Sequence, residues 1–141
     1  MRYISYTKRV YFDGGGKEYT LFHIEFYETE DGKTPVEDFM DSLDNKISTK
    51  LVGLLEVLEE KGTDLRAPYT KHLEDGIFEL RCIFGNDIIR VLFFYYYGGL
   101  IVLTNGYIKK TQKTPRKEIK LAKNRRNDWI RRHGIDELRG D

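Results

Sequence analysis

The sequence predicts an α+β fold: a mainly antiparallel sheet whose first strand is followed by two helices, then by three more strands and a closing basic helix. Three observations carry this prediction. Between Ile47 and Lys61 the apolar residues Ile47, Leu51, Leu54, Leu55 and Leu58 recur on one helical face. Residues 77–84, 87–97 and 100–110 form three aromatic and β-branched runs, separated only by Gly85-Asn86 and Gly98-Gly99. Thr114-Pro115 then marks the start of a helix rich in Lys and Arg. With 141 residues and 40% apolar content the chain is sized for one core, so residues 1–141 are expected to form a single domain.

Taken in order, the chain begins with two aromatic runs flanking Asp13-Gly14-Gly15-Gly16. The second alternates Phe22, Ile24 and Phe26 with His23, Glu25 and Tyr27, the period of a strand. The first falls within residues 1–19, an N-terminal extension expected to carry an extra strand or hairpin. In TPVEDFMDSL, Thr34 is placed as the N-cap, Pro35 at the first helical position and Glu37 where a capping box puts its carboxylate. The longer helix stops at Gly62. YTKHLEDG reads as a polar connector into the three strands. In the last helix Ile119, Ala122, Trp129 and Ile130 make a partial apolar stripe.

Net charge is only +1, yet the charges are separated along the chain. Residues 25–64 hold twelve acidic and four basic residues; residues 107–133 hold eleven basic and two acidic ones. Such a polarised molecule suits a polyanionic partner on one side. The single cysteine, Cys82, can form no intramolecular disulfide, and no apolar run reaches the roughly 20 residues of a membrane span. A soluble cytoplasmic protein is the expectation. No Cys/His cluster has metal-ligand spacing, and no hydrolase triad is recognisable, so a reaction without metal or cofactor is expected. DGKT at residues 31–34 lacks the earlier glycine of a phosphate-binding loop, because Tyr27 stands in its place.

If Gly85-Asn86 is a two-residue hairpin loop, paired positions sum to 171. Cys82 then faces Ile89, Leu80 faces Val91 and Phe78 faces Phe93, an apolar face. On the other face Arg81 lies opposite Arg90, and Glu79 opposite Leu92. Like charges directly across strands are destabilising, whereas an anion between them would make the pair favourable. Applied to Gly98-Gly99, the same reasoning gives pairs summing to 197, which adds Asn105, Tyr107 and Lys109 to that face. Two readings stay open: a phosphate site, or a half-buried network in which Glu79 neutralises the arginines.

The order of elements, with DGIFELR, IIRVLFFY and YIKKTQKTPRKEIKLAKNR at its end, resembles the RelE/ParE superfamily of bacterial toxins. Within it the chain is most similar to the HigB-type, phage-derived Gp49-like branch, over about residues 20–132. The resemblance implies a RelE-like fold and a ribosome-dependent endoribonuclease, the toxin of a type II toxin-antitoxin system that cleaves mRNA and so inhibits translation. In RNA cleavage the 2′-hydroxyl attacks the adjacent phosphate, and the enzyme must stabilise charge on the phosphoryl oxygens. Arg81 and Arg90 are expected to clamp that phosphate, since a guanidinium donates two parallel hydrogen bonds and keeps its charge.

By resemblance Lys109 and Lys110 lie at the same site. FGNDII stands ahead of Arg90 where better-known relatives carry lysines, and the group that accepts the proton is left open between Glu79 and His72. Lys71, Tyr107, Lys113, Arg116, Lys117, Lys120, Lys123, Arg125 and Arg126 are the expected contacts to RNA, largely to its backbone. The resemblance also implies a partner, a HigA-like helix-turn-helix antitoxin, in a hetero-oligomer with the toxin. Two other activities fit the superfamily or the charge: poisoning of DNA gyrase through protein contact, and non-catalytic nucleic-acid binding by the basic helix alone.

Overall fold

The computed structural model describes residues 10–109 and 113–134. Its centre is a five-stranded mixed sheet in the order β3-β7-β6-β5-β4, built from β3 (His23–Phe26), β4 (Thr70–Glu74), β5 (Ile77–Phe84), β6 (Asp87–Tyr96) and β7 (Leu100–Lys109). Only β3 and β7 run parallel; every other neighbouring pair is antiparallel. The extension contributes a separate two-stranded ribbon, β1 (Val10–Phe12) paired with β2 (Glu18–Thr20) across the Asp13 turn. Asp13 stabilises that turn, its Oδ1 accepting from the Gly15 and Lys17 amides.

Helix α1 (Pro35–Asp41) starts after Thr34 with Pro35 in the first turn, but the Thr34 side chain makes no capping bond, so the expected capping box is absent. Helix α2 (Asn45–Lys61) is capped instead by Asp44, whose side chain accepts from the Lys46 amide. It ends at Gly62, where φ is 54° and a Cβ would stand 2.0 Å from the Phe22 ring, so glycine is required on both counts. Helix α3 (Arg116–Trp129) runs into a π-helical turn at Ile130–Gly134.

The sheet carries a core on each face. Leu51, Leu55 and Leu58 of α2 and Val36 and Met40 of α1 pack on Leu80, Cys82, Ile89, Val91 and Phe93. Ala122 and Trp129 of α3 pack on Ile77, Leu92, Phe94 and Val102 on the opposite face. Trp129 also donates its indole N–H to the buried Glu25 carboxylate at 2.7 Å, and Tyr27 donates to Asp128 at 2.7 Å. These two bonds tie the end of α3 to β3.

Two departures from the expected strand pattern bear on the site. YTKHLEDG is not a connector: Thr70–Glu74 pairs with β5 around Asp75-Gly76, both at positive φ. Asp-Gly at the centre of a two-residue turn is the type I′ hairpin signal, and it marks the strand in the sequence. The other departure is in the β6–β7 hairpin. Tyr96 faces Leu100, so its loop is one residue longer than Gly98-Gly99, and a bulge between Leu92 and Phe93 places Thr104 as the extra residue. The two irregularities cancel. Arg90 therefore faces Tyr107 and Ile88 faces Lys109, as the simple register predicts, while residues 100–103 pair one step out of it.

Candidate active site

Arg81 and Arg90 are directly opposed on β5 and β6, with Phe84 facing Asp87 at the Gly85 turn, as the hairpin register requires. What lies between them differs from an open clamp. Glu79 is 0% exposed and is the centre of the group. Its Oε1 accepts from Arg81 Nε at 2.8 Å, and both its oxygens lie within 3.4 Å of Arg90 Nη1. Its Oε2 accepts from the hydroxyls of Thr114 at 2.5 Å and Tyr107 at 3.2 Å. Arg90 Nη1 also reaches Thr114 Oγ1 at 3.5 Å.

Arg90 is itself 0% exposed and lies against Thr114. An open phosphate clamp needs two exposed guanidinium groups, and that of Arg90 is buried. Its role here is to neutralise Glu79 inside the protein. Arg81 keeps 21% of its side chain exposed and is oriented by Glu79, so it is the arginine of the pair that solvent can reach. Glu79 in turn is enclosed, its two oxygens accepting from Arg81, Arg90, Thr114 and Tyr107. Burial alone would raise its carboxyl, but the Thr114 hydroxyl and the two guanidinium groups outweigh burial and hold it below its ordinary value.

A carboxylate depressed in the folded state stabilises the fold above its unfolded value and loses that contribution as pH falls through the lower folded value. The chain should therefore lose stability on acidification below pH 4.5, the ordinary carboxyl value. Glu79→Gln is expected to be less stable at neutral pH and to flatten that acid limb, read as the urea midpoint against pH. An acid limb identical in wild type and variant would remove Glu79 as its cause.

His72 drops out as a base. It pairs with Phe78 on the face of α1 and α2, its ring 4.9 Å from that of Phe78, and its Nε2 accepts from the Gly76 amide. Lys71, one residue earlier, faces Glu79 and is exposed on the α3 side. It lines a cleft of about 350 Å³ together with Leu73, Glu74, Lys113, Thr114 and Arg116. Thr114 thus forms the wall between the cleft and the buried Glu79.

The remaining predicted RNA contacts divide. Lys113, Lys117 and Lys120 are exposed at or just before the start of α3, and Arg116 there is exposed but bound to Glu74. Further along, the cations are tied to the protein. Arg116 and Lys123 both bind Glu74, which they hold at a pKa of about 2, and Arg126 binds the Asp75 side chain at 2.8 Å and its carbonyl. Arg125 donates to the Thr104 carbonyl at 2.8 Å beneath the helix, over the Tyr27 ring, and burial lowers its pKa. The contacts expected of Lys123, Arg125 and Arg126 are therefore corrected to bonds that fasten α3 to the sheet. Tyr107 likewise turns its hydroxyl inward to Glu79, and burial raises its pKa to about 12. Asn105 is buried and donates to the Glu118 side chain at 3.0 Å.

Glu74 and Asp75 are the anchoring residues beside the cleft that sequence reasoning missed. The Asp-Gly hairpin signal would have placed both carboxylates at a strand end, within reach of a basic helix. Lys109 ends β7 opposite Ile88; Lys110 lies outside the described residues. No described helix is long and apolar enough to cross a membrane.

The family described as Phage derived protein Gp49-like matches residues 38–127, which includes α2, the Glu79 network and most of α3. The Probable endoribonuclease HigB1 of Mycobacterium tuberculosis, strains CDC 1551 / Oshkosh and ATCC 25618 / H37Rv, is 32% identical over 109 residues, covering 77% of this chain and 85% of the relative. The β1–β2 ribbon precedes the family match. With the matched segment spanning the site and most of the sheet, the chain belongs to the phage-derived Gp49-like family of HigB-type toxins.

Proposed function

We propose that this protein is the toxin of a type II toxin-antitoxin pair and acts as a ribosome-dependent endoribonuclease on mRNA. The relatives named endoribonuclease support the activity class, and the observation that carries it to this chain is Arg81. That guanidinium is fixed by a buried carboxylate at 2.8 Å, stays reachable from solvent, and lies one strand from Lys71 and the cationic cleft. Fixed positive charge beside a groove that can take an anionic strand is what phosphoryl chemistry needs.

In the proposed reaction the 2′-oxygen attacks the adjacent phosphorus and gives up its proton to solvent water as a P–O bond forms. The bond to the 5′-oxygen breaks, leaving a 2′,3′-cyclic phosphate on one product and, after protonation, a 5′-hydroxyl on the other. Arg81 stabilises the charge on the non-bridging oxygens. Lys109 and Lys110 are proposed, from the family resemblance, to assist at the leaving oxygen. Glu79 and Arg90 act as positioning residues, holding Arg81 and Thr114 rather than touching RNA. Lys71, Lys113, Arg116, Lys117 and Lys120 would bind the RNA backbone, whose phosphates supply affinity without base identity. No metal or cofactor is invoked. Inhibition would come from a cognate antitoxin, HigA-like in carrying a helix-turn-helix domain, which forms a hetero-oligomer with the toxin in the cytoplasm.

The test is mRNA cleavage by the purified chain with and without ribosomes. Cleavage that requires ribosomes and leaves cyclic-phosphate ends is expected. Growth inhibition without RNA cleavage would instead favour a gyrase-directed toxin, and RNA binding with neither effect a non-catalytic module.

A further inference from the structure

The cleft beside Thr114 carries more than charge. Its walls include the apolar side chains of Leu73 and Ile119, with Lys71 and Lys113 exposed along it and Thr114 standing between it and Glu79. At about 350 Å³ it is at the small end of ligand clefts, sized for one nucleoside unit rather than a protein segment. Phosphates alone make no use of an apolar wall.

Arg116 stands at this cleft, and its geometry is not that of a phosphate clamp. Both Nη atoms donate to Glu74, Nη1 to Oε1 and Nη2 to Oε2 at 3.1 Å, the two-pronged arrangement in which a guanidinium would otherwise take a phosphate. That fork is occupied from within the chain. What remains is the plane: the side chain is 67% exposed, and an edge-on carboxylate leaves the faces of a guanidinium unused. Stability gives the pair little purpose. An ion pair this exposed adds little, and α3 is fastened to the same hairpin tip by Lys123 on Glu74 and by Arg126 on Asp75. Its effect is to hold the plane of Arg116 in one orientation beside the cleft, and unpaired RNA bases stack on planes of this kind, aromatic or guanidinium.

We propose that the cleft is a nucleobase subsite, in which one unpaired base of the RNA stacks on the Arg116 guanidinium and rests against Leu73 and Ile119, while Lys71 faces the backbone phosphate. This deepens the ribonuclease reading above and rests on it. Arg116, counted there among the backbone contacts, holds the strand through a base instead, and Glu74 is the residue that positions it. The subsite adjoins the reaction site through Thr114, whose hydroxyl is bonded to the carboxylate that orients Arg81. A base seated here sets which phosphate of the strand lies at Arg81. Every base has a face to stack, so the subsite fixes register without strong selection of sequence.

The probes are two short single-stranded RNAs titrated against the full chain, one with its bases and one made of abasic residues, both carrying 2′-O-methyl groups so that no 2′-oxygen can attack. The strand with bases should bind more tightly. Arg116→Ala and Arg116→Lys should weaken it alike, by roughly 5- to 100-fold, the effect of one lost base stack. Neither should change the slope of affinity against salt, whereas Lys71→Ala should reduce that slope by about 0.7, one phosphate contact on a single strand. Glu74→Gln reverses the electrostatic expectation. Removing a negative charge beside a polyanion favours binding, yet the subsite requires weaker binding, because the fork that holds Arg116 is loosened. Should Glu74→Gln fail to fold, Arg116→Lys carries the same distinction between plane and charge.

Equal binding of the two strands by wild type, including no binding of either, overturns the proposal. So does wild-type affinity in Arg116→Lys, which would leave this residue as a charge only, and so does tighter binding by Glu74→Gln. Cleavage is scored separately. Wild type that cuts no mRNA with ribosomes present refutes the ribonuclease reading, while the two uncleavable strands still decide the subsite.

Discussion

Replacing Arg90 by alanine is expected to lower the stability of the folded chain by about 3–5 kcal/mol, because it removes one partner from a buried ion pair and leaves the other charge in place. Glu79 keeps Arg81, Thr114 and Tyr107 as partners, which puts the loss toward the lower end of that range. The measurement is urea unfolding at neutral pH. In a double-mutant cycle with Glu79→Gln, the combined variant should cost less than the sum of the two single ones, by about 1–3 kcal/mol. Additive losses would mean that the two residues do not act as a unit. Arg90→Ala would also lower activity, but in proportion to unfolding and to disorder at Arg81, so activity must be compared under conditions where both proteins are folded.

Arg81→Ala should have the opposite signature. Its side chain is partly exposed, so the fold should persist, while cleavage falls by roughly 10²–10³-fold through loss of charge stabilisation at the phosphate. Arg81→Lys should recover only part of the activity. An ammonium restores the charge but not the planar fork, nor the Nε–H that Glu79 holds. Because the proposed interaction is strongest in the transition state, the loss should fall mainly on kcat rather than KM. Near-wild-type cleavage by Arg81→Ala would remove this residue from the site.

The contrast between these neighbours marks how far the sequence could be read. Hairpin arithmetic placed Arg81 opposite Arg90 and Tyr107 opposite Arg90, since side-chain period and turn length are local properties. It could not tell which arginine is covered. That depends on Thr114, thirty-five residues beyond Glu79 in sequence and bonded to it at 2.5 Å. The anion expected between the arginines is supplied by the protein itself, in the form of Glu79. The basic helix was legible in composition, but its pairing with Glu74 and Asp75 was not, because both sit at the tip of a strand read as a connector. Once that hairpin is recognised, Arg116, Lys123 and Arg126 become attachments to its tip, Arg125 is held by Thr104, and of the six α3 cations Lys117 and Lys120 are left as the exposed ones of its first turns.

The longer loop after β6 and the Thr104 bulge have an implication for how this strand tolerates insertions and deletions. Each shifts the phase of β7 by one residue, in opposite senses. Deleting Thr104, or one residue of the loop, would leave Tyr96 opposite Leu100, Phe93 opposite Leu103 and Leu92 opposite Asn105, so Leu103 would keep the α1–α2 side and Tyr107 the α3 side. One-residue length changes at these two places are therefore absorbed where they occur, without turning over the strand that follows.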